Sequence, residues 1–300
     1  MKNKHSDKIP IQRGVVWILL SVMLISGSAV LAFLYYRHIK ELYGRDAKYR
    51  IVALVQTTPE KETLKTSYLA ELLDLSIDKP TNLYRFNAGD ARSKLLANPL
   101  IKEAKVKKIR PGTVYIDYIL RKPVAFLTDY TNTAVDAEGV LFPVKPFFTP
   151  KKWPDIYLGL EDSADRPHPD KIWGTSLKSK QTELALSLLD YITKYCSSEK
   201  SRLQRIDVSQ AYASSCGQRQ IVIVMEDRIE QKINGRMALC ILPRILRLGT
   251  DNYLQGLANY LVLRDHLMQR MIQNLDEQTV IKQKPIVIDL RLSQLAFIRS

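Results

Sequence analysis

The sequence predicts an α+β protein with a single N-terminal transmembrane helix, a βααββ domain after it, and a mixed C-terminal β domain that contains a long helix. Three observations predict this class: an uncharged apolar run from Gly14 to Tyr36, strict alternation of apolar residues in Thr113–Leu120, and leucines at helical spacing from Leu254 to Leu261. With 300 residues and 46% hydrophobic content, the chain can form about two domains with buried cores.

The segment from Gly14 to Tyr36 is long enough, as a helix, to cross a hydrocarbon core about 30 Å thick. Trp17 near one end and the tyrosines at the other end suit the two membrane interfaces. A buried helix of a soluble protein and a cleaved signal peptide are the alternatives. Because the apolar run continues well past the small residues at Ser26 and Ser28, we favour an uncleaved anchor.

Basic residues flank this segment on both sides, but long C-terminal domains are exported largely regardless of their charge. We therefore expect the N-terminus inside and the C-terminal domains outside. The predicted divisions are a cytoplasmic tail at 1–13, a transmembrane helix at 14–36, a linker at 37–49, the βααββ domain at 50–122 and the β domain at 123–300.

The βααββ domain is predicted element by element. A β-rich run in "YRIVALVQT" precedes a helix in "SYLAELLDL", for which Ser67 is the candidate cap. A second helix is predicted from Asn87, its N-cap, to Ala97. Strands at Ile101–Ile109 and Thr113–Leu120 follow, joined by a turn at Arg110-Pro111-Gly112.

The C-terminal part carries fewer local signals. The stretch "KSKQTELALSLLD" predicts a core helix with a charged end, and a second helix has Leu254, Leu257 and Leu261 on one face. The segment from Val135 to Gly139 predicts a tight reversal in which Gly139 takes a positive φ.

The first strand of the predicted hairpin is strongly basic, with Lys102, Lys105, Lys107 and Lys108. The chain carries a net charge of +14, which favours an anionic neighbour. No aromatic residues interleave with these lysines, so nucleic-acid binding by base stacking has little support. We interpret the lysines as the solvated face of a strand, and contact with acidic proteins or anionic lipid headgroups stays open.

Several segments resemble one protein family. "SYLAELLDL", "TNLYRFNAGDARSKLLANPLIKEAKVKKIRPGTVYIDYILRKPVAFL" and "AVDAEGVLFPV" are similar to the POTRA domain and following hairpin of the FtsQ/DivIB bacterial cell-division proteins. "RILRLGTDNYLQGLANYLVL" resembles the family's strand end, loop and long helix. "PIVIDLRLSQLAFIR" resembles its Asp-Leu-Arg strand, here at Asp289, Leu290 and Arg291.

The resemblance implies a non-enzymatic divisome scaffold in the bacterial inner membrane. Such a protein is single-pass and type II, with its C-terminal domains in the periplasm at the division septum. It would bind bitopic proteins of the FtsB and FtsL type by strand addition and coordinate septal peptidoglycan synthesis.

The pairing strand implied by the resemblance is Leu292 to Ile298. Arg291 would be a cation for an acidic residue of the partner, with Arg247 a second cation. The alternative is that Arg291 makes only a surface ion pair that contributes less than about 1 kcal/mol. The predicted partner-binding residues are Arg291, Leu292, Gln294, Ala296, Ile298 and Arg247.

Motifs of catalysis or cofactor binding are absent from the sequence: it has no GxGxxG, P-loop, GxSxG or HExxH, so we predict no catalytic, cofactor-binding or metal-binding residues. The adjacent acids Glu226 and Asp227 are expected in a turn. A Cys196–Cys216 disulfide is possible, although buried unpaired thiols are the simpler expectation. The remaining alternatives are a POTRA-containing secretion or outer-membrane assembly component and an exported cell-wall enzyme.

Overall fold

The computed structural model describes residues 11–76, 78–149, 151–160, 172–196, 201–233, 236–273 and 284–299. The chain divides into two compact units, formed by residues 1–96 with 103–119 and by residues 97–102 with 120–300. A three-stranded sheet belongs to the N-terminal half of the fold and a nine-stranded sheet to the C-terminal half. Residues 1–10 of the predicted cytoplasmic tail lie outside the described residues.

The apolar run forms helix α1, Ile11–Arg45. Within the described ranges it is the one helix long and apolar enough to cross a membrane, and it fits a single-pass anchor. The helix continues through residues 37–45, for which the sequence predicted a polar connector. This extension carries an i,i+4 ion pair of Arg37 with Glu41 at 3.7 Å. Asp46 ends α1 by capping the short helix Ala47–Tyr49, where it accepts a hydrogen bond from the Lys48 N–H.

The N-terminal unit has the predicted βααββ order. Strand β3 lies between the other two strands, and β1 pairs with it in parallel. Both β1 and β2 are therefore edge strands of this sheet. The elements are β1 (Ala53–Thr57), α2 (Thr66–Leu72), α3 (Ala88–Ala97), β2 (Ile101–Ile109) and β3 (Thr113–Leu120).

The core of this unit follows the alternation seen in the sequence. Val114, Ile116 and Tyr118 of β3 are buried, as are Leu69 of α2 and Leu95 of α3. The hydroxyl of Tyr118 accepts a hydrogen bond from the backbone of Leu64 at 2.9 Å, which satisfies a polar group that enters the core. The predicted packed face of β3 is confirmed.

The two predicted helix caps have different outcomes. Asn87 caps α3 as predicted, since its side-chain oxygen accepts from the Gly89 N–H at 2.9 Å. The prediction for Ser67 is wrong, because α2 begins at Thr66 and Ser67 is already helical. The cap position belongs to Lys65, whose backbone is extended and whose side chain makes no capping bond.

Strand β2 exposes its lysines. Lys102, Lys105, Lys107 and Lys108 are exposed, whereas Ala104 is buried. The predicted solvent exposure of these lysines is confirmed, but the prediction of a single solvated face is wrong, because Lys102 and Lys108 lie on the opposite side of the strand from Lys105 and Lys107.

The C-terminal unit is built on the nine-stranded sheet, whose order is β12-β11-β10-β9-β8-β7-β4-β5-β6. Helix α4 ends in one π-helical turn, Ile192–Cys196. The strands are β4 (Ala125–Leu127), β5 (Thr133–Val135), β6 (Leu141–Pro143), β7 (Asp155–Tyr157), β8 (Ser201–Asp207), β9 (Ile221–Ile233), β10 (Arg236–Leu248), β11 (Ile286–Leu290) and β12 (Phe297–Arg299), and the helices are α4 (Lys180–Tyr191) and α5 (Tyr253–Gln273).

Helix α4 is the predicted core helix, with Leu184 and Leu188 buried and Ser179 as its cap. The long α5 is also present, and its Leu257 is fully buried. The predicted reversal is confirmed as well, because Gly139 has a φ of +78°.

Glu226 and Asp227 do not lie in a turn, so that expectation is wrong. They sit in the middle of β9, where only Asp227 is fully buried. The buried carboxylate is stabilised by residues that come together in the fold: Arg244 of β10 at 3.5 Å, the Tyr260 hydroxyl of α5 at 3.2 Å, and the Ser201 hydroxyl. These partners make a strand position tolerable for the charge.

The possible Cys196–Cys216 disulfide is not formed. Both cysteines are free: Cys196 is buried at the end of α4 and Cys216 is exposed on a short 3₁₀ helix. Burial raises the pKa of the Cys196 thiol, which keeps it protonated and unreactive.

Candidate partner-binding edge

The nine-stranded sheet ends in two very different strands. At one end, all three residues of β6 are buried. At the other end, all three residues of β12 are exposed, and no described strand pairs with its outer side. The backbone N–H and C=O groups on that side are therefore available to another chain.

The predicted pairing strand from Leu292 to Ile298 is wrong as a continuous strand. After β11 the chain turns, with the Leu295 N–H donating to the Leu292 carbonyl at 3.4 Å and Gln294 at a φ of +66°. The chain then returns as β12, which pairs antiparallel with the outer side of β11. The outermost strand of the sheet is therefore β12 and not the segment that directly follows β11. Of the predicted strand residues, Ile298 lies on β12, whereas Leu292, Gln294 and Ala296 lie in the turn.

The two predicted cations do come together, around Asp289. Arg247 of β10 and Phe297 of β12 lie opposite Asp289 in the sheet. The guanidinium of Arg291 binds both carboxylate oxygens, with its Nη2 at 2.8 Å from Oδ2 and its Nε at 3.0 Å from Oδ1. Arg247 reaches the same carboxylate at 3.5 Å and also donates to Gln220.

This cluster keeps its charges. Burial raises the pKa of Asp289, but the hydrogen bonds and charge of Arg291 and the charge of Arg247 outweigh it, so the pKa lies below its ordinary value. The hydrogen bond that Arg291 donates to Asp289 in turn raises the pKa of Arg291. The Arg291 side chain remains 30% exposed, so an internal carboxylate orients this cation while part of it faces solvent.

A cavity of about 620 Å³ adjoins β12 on this side of the sheet. Gly249 in its wall lies close to Asn252, since a Cβ there would stand 2.7 Å from the Asn252 side-chain oxygen. Within the described ranges, no cluster of three or more His, Cys, Asp or Glu residues could hold a metal ion. The lining residues are Cys216, Gly217, Arg219, Gly249, Thr250, Asp251, Asn252, Asp289, Arg291, Leu292 and Phe297.

Sequence reasoning missed Phe297, which is 59% exposed and lines this cavity. Its neighbour Ile298 is 47% exposed, and Leu292 and Leu295 in the turn are exposed as well. Adjacent residues on a strand point to opposite faces, so the pair Phe297-Ile298 already indicated that one of them could not face the core. A group of exposed apolar side chains of this kind is typical of interaction surfaces.

Comparison with known proteins agrees with this architecture. A family profile described as the POTRA domain, FtsQ-type, matches residues 62–117, which contain α2, α3, β2 and most of β3. No curated protein matches the chain. An FtsQ-type POTRA domain supports a scaffold role in bacterial cell division. This domain, together with an apolar N-terminal helix before it and a sheet-rich C-terminal unit after it, supports an FtsQ/DivIB-family protein.

Proposed function

We propose that the protein is a non-enzymatic divisome scaffold that captures a segment of an FtsB- or FtsL-type bitopic protein at the outer edge of β12. In this proposal α1 anchors the chain in the inner membrane, the POTRA domain (50–122) and the β domain (123–300) lie in the periplasm at the septum, and the captured partner links them to septal peptidoglycan synthesis. The observation that carries the proposal is the exposure of the whole of β12 at the end of the sheet.

The apolar side chains of β12 expose surface that a partner strand would bury. Phe297 exposes 59% of its surface and Ile298 exposes 47%. Full burial of such a side chain stabilises by about 1.5–3 kcal/mol, so covering the exposed part of Phe297 contributes about 1–2 kcal/mol. Backbone pairing along β12 adds affinity, and the adjoining cavity accepts a partner side chain and so adds selectivity.

Charge gives the edge a second means of selection. Arg291 is held by Asp289 in a fixed orientation and is partly exposed, so it can meet an acidic side chain of the partner without losing its own counter-ion. Arg247 is 35% exposed and lies one strand further from the edge, so we assign it a supporting role.

A pair of matched substitutions tests the apolar contact. Phe297→Ala and Tyr195→Ala each remove an exposed aromatic ring, at 59% and 60% exposure, and the segment of Tyr195 contacts β8 rather than β12. With the full chain in detergent and a purified FtsB-type partner, we expect Phe297→Ala to weaken binding about tenfold. Tyr195→Ala should bind like the wild type, and equal affinities for the two variants would contradict the proposal.

A second pair tests the charge. Arg291→Glu should weaken partner capture, because it replaces the cation by a carboxylate that lies beside Asp289 and opposite an acidic side chain of the partner. We expect the fold to remain intact. The variant Asp289→Asn/Arg291→Gln removes both charges and the repulsion together. If Arg291 serves the partner, this double variant binds weakly too; if it only neutralises Asp289, the double variant binds normally and the assignment fails.

The rival functions predict different results. No particular feature of the described residues favours a secretion or outer-membrane assembly component, or an exported cell-wall enzyme. Turnover of peptidoglycan by the purified chain would contradict the scaffold proposal outright.

A further inference from the structure

A cleft of about 410 Å³ lies where the C-terminal end of α1 meets the rest of the N-terminal unit. It is separate from the β12 edge and belongs to the other compact unit. Its lining residues are Tyr36, Ile39, Lys40, Tyr43, Leu83, Tyr84, Lys108 and Arg110.

The walls of the cleft are fixed to one another. The Asn82 side-chain amide donates to the carbonyl of Tyr43 at 2.9 Å and to that of Asp46 at 3.1 Å, which ties the end of α1 to the segment that leads into α3. Tyr43, Tyr49 and Tyr84 pack together, with ring centroids 5.0 to 5.2 Å apart. The cleft is therefore a preformed feature of the domain, which lowers the cost of binding a ligand there.

The charge lining this cleft is positive and unbalanced. Lys40, Lys108 and Arg110 line it, and none of them has an acidic partner among the residues that the structure describes. Burial and the charge of Lys40 lower the pKa of Lys108, which is the effect expected of cations gathered without a counter-ion.

Tyr84 orients one of these cations, Arg110. Arg110 stacks over its ring at 5.5 Å, which leaves guanidinium N–H groups in the plane free to donate. An oxyanion in the cleft would balance the positive charge and accept these hydrogen bonds.

The position of the cleft indicates where the anion comes from. Lys40 follows the last residue of the uncharged run, Tyr36, by four residues, or about 6 Å along the helix axis. The polar layer on each side of the hydrocarbon core is about 5–7 Å thick. With α1 spanning the membrane up to Tyr36, the cleft opens at the depth of the lipid headgroups.

We propose that this cleft binds the phosphate of an anionic phospholipid headgroup through Lys40, Lys108 and Arg110. The bound lipid holds the POTRA domain against the membrane surface at a fixed height. The proposal rests on the membrane-anchoring part of the proposed function and is independent of partner capture at β12.

Two double variants in and next to β2 distinguish a specific lipid site from general attraction between a basic surface and anionic lipid. Lys108→Gln/Arg110→Gln removes two cations that line the cleft. Lys105→Gln/Lys107→Gln removes two exposed cations that do not line it, with the same change in net charge. Alternate residues of a strand point to opposite faces, so the control pair lies on the other side of β2.

The test uses the full chain in detergent, titrated with phosphatidylglycerol or phosphatidylcholine, with bound lipid counted by native mass spectrometry. We expect one phosphatidylglycerol to bind at least about tenfold tighter than phosphatidylcholine, a loss of about tenfold in Lys108→Gln/Arg110→Gln, and no loss in the control pair. Thermal unfolding checks that each variant is folded. The preference of the wild-type chain for phosphatidylglycerol over phosphatidylcholine is a separate result that does not depend on the folding of any variant.

Three results would overturn the proposal. They are equal binding of the two lipids, equal losses in the two double variants, and binding of glycerol 3-phosphate as tightly as phosphatidylglycerol, which would assign the site to free phosphates. Capture of the FtsB-type partner, measured in parallel, stays unchanged in the Lys108→Gln/Arg110→Gln variant, so a failure here is distinct from a failure at β12.

Discussion

Replacing Arg244 by methionine should be among the most destabilising single changes in the C-terminal unit. Arg244 is 1% exposed, and its Nε lies 3.5 Å from the carboxylate of Asp227, which is fully buried. Arg244→Met keeps an apolar side chain of similar length but leaves Asp227 without its counter-ion in the core. The Ser201 and Tyr260 hydroxyls still donate to Asp227 and offset part of the loss.

The expected magnitude follows from the burial of this pair. Breaking a buried ion pair by removing one partner costs about 3–5 kcal/mol, and we expect the lower end of that range because two hydroxyl donors remain. Arg205→Met is the matched control on β8, since its ion pair with Asp155, at 3.9 Å, has side chains 50% and 39% exposed. An exposed pair of this kind contributes less than about 1 kcal/mol. Asp227→Leu/Arg244→Met, which removes both charges, should recover at least about 1 kcal/mol of the loss.

Hydrogen exchange of the full chain in detergent measures these differences locally, from the opening free energy of amides in β9 and β10. This readout is preferable to a single melting temperature because the chain has two compact units that need not unfold together. If Arg244→Met lowers the opening free energy no more than Arg205→Met does, the assignment of Arg244 as the counter-ion of Asp227 is wrong.

Two further predictions concern the same unit. Burial and, after it, the charge of Asp227 raise the pKa of Tyr260 above its ordinary 10.0, so the stabilising contribution of the neutral phenol is present below pH 10.0 and is lost as the pH rises further. Urea unfolding between about pH 8 and 11 should therefore show a smaller loss of the free energy of unfolding for Tyr260→Phe than for the wild type. An identical loss for the two proteins would contradict this assignment. Gly139→Ala should destabilise the fold by about 1–3 kcal/mol, because Gly139 has a φ of +78° and an added Cβ would stand 2.9 Å from the Leu177 carbonyl. In Gly217→Ala, the control, the added Cβ meets nothing closer than 4.0 Å, so this variant should be close to neutral. Thermal unfolding of the two variants measures the difference.

Much of the N-terminal unit could be predicted from the sequence because its signals are local. Strands β2 and β3 begin and end at the predicted residues, since Asn98-Pro99 stops α3 and the Arg110-Gly112 turn separates the two strands. The period-2 pattern in β3 identified its buried face for the same reason. Local signals failed at the end of α1, where the polar residues 37–45 remain helical through contacts with the domain that follows.

The interior of the C-terminal sheet could not be predicted because its determinants are distant in sequence. Glu226-Asp227 is typical of a turn when only the local sequence is considered, whereas Arg244, Tyr260 and Ser201, all distant in sequence, stabilise Asp227 inside a strand. These contacts lie within a long hairpin, in which β9 and β10 each have 13 residues.

At the candidate site, the cations could be located from the sequence, but the turn between β11 and β12 could not. Asp289 and Arg291 are two residues apart at the end of β11, a spacing that places both side chains on one face, so their ion pair could have been anticipated. The turn before β12 could not, because the left-handed position falls on Gln294 where no glycine signals it. That turn decides which strand is the free edge.

The central claim is that β12 is the edge at which a partner segment is captured. A photo-crosslinking amino acid placed at Ile298 in dividing cells tests it most directly, with the same amino acid at Tyr195 as the control. The account predicts a product with an FtsB- or FtsL-type protein from Ile298 and none from Tyr195. The absence of that product from Ile298, or the same product from both positions, would contradict it.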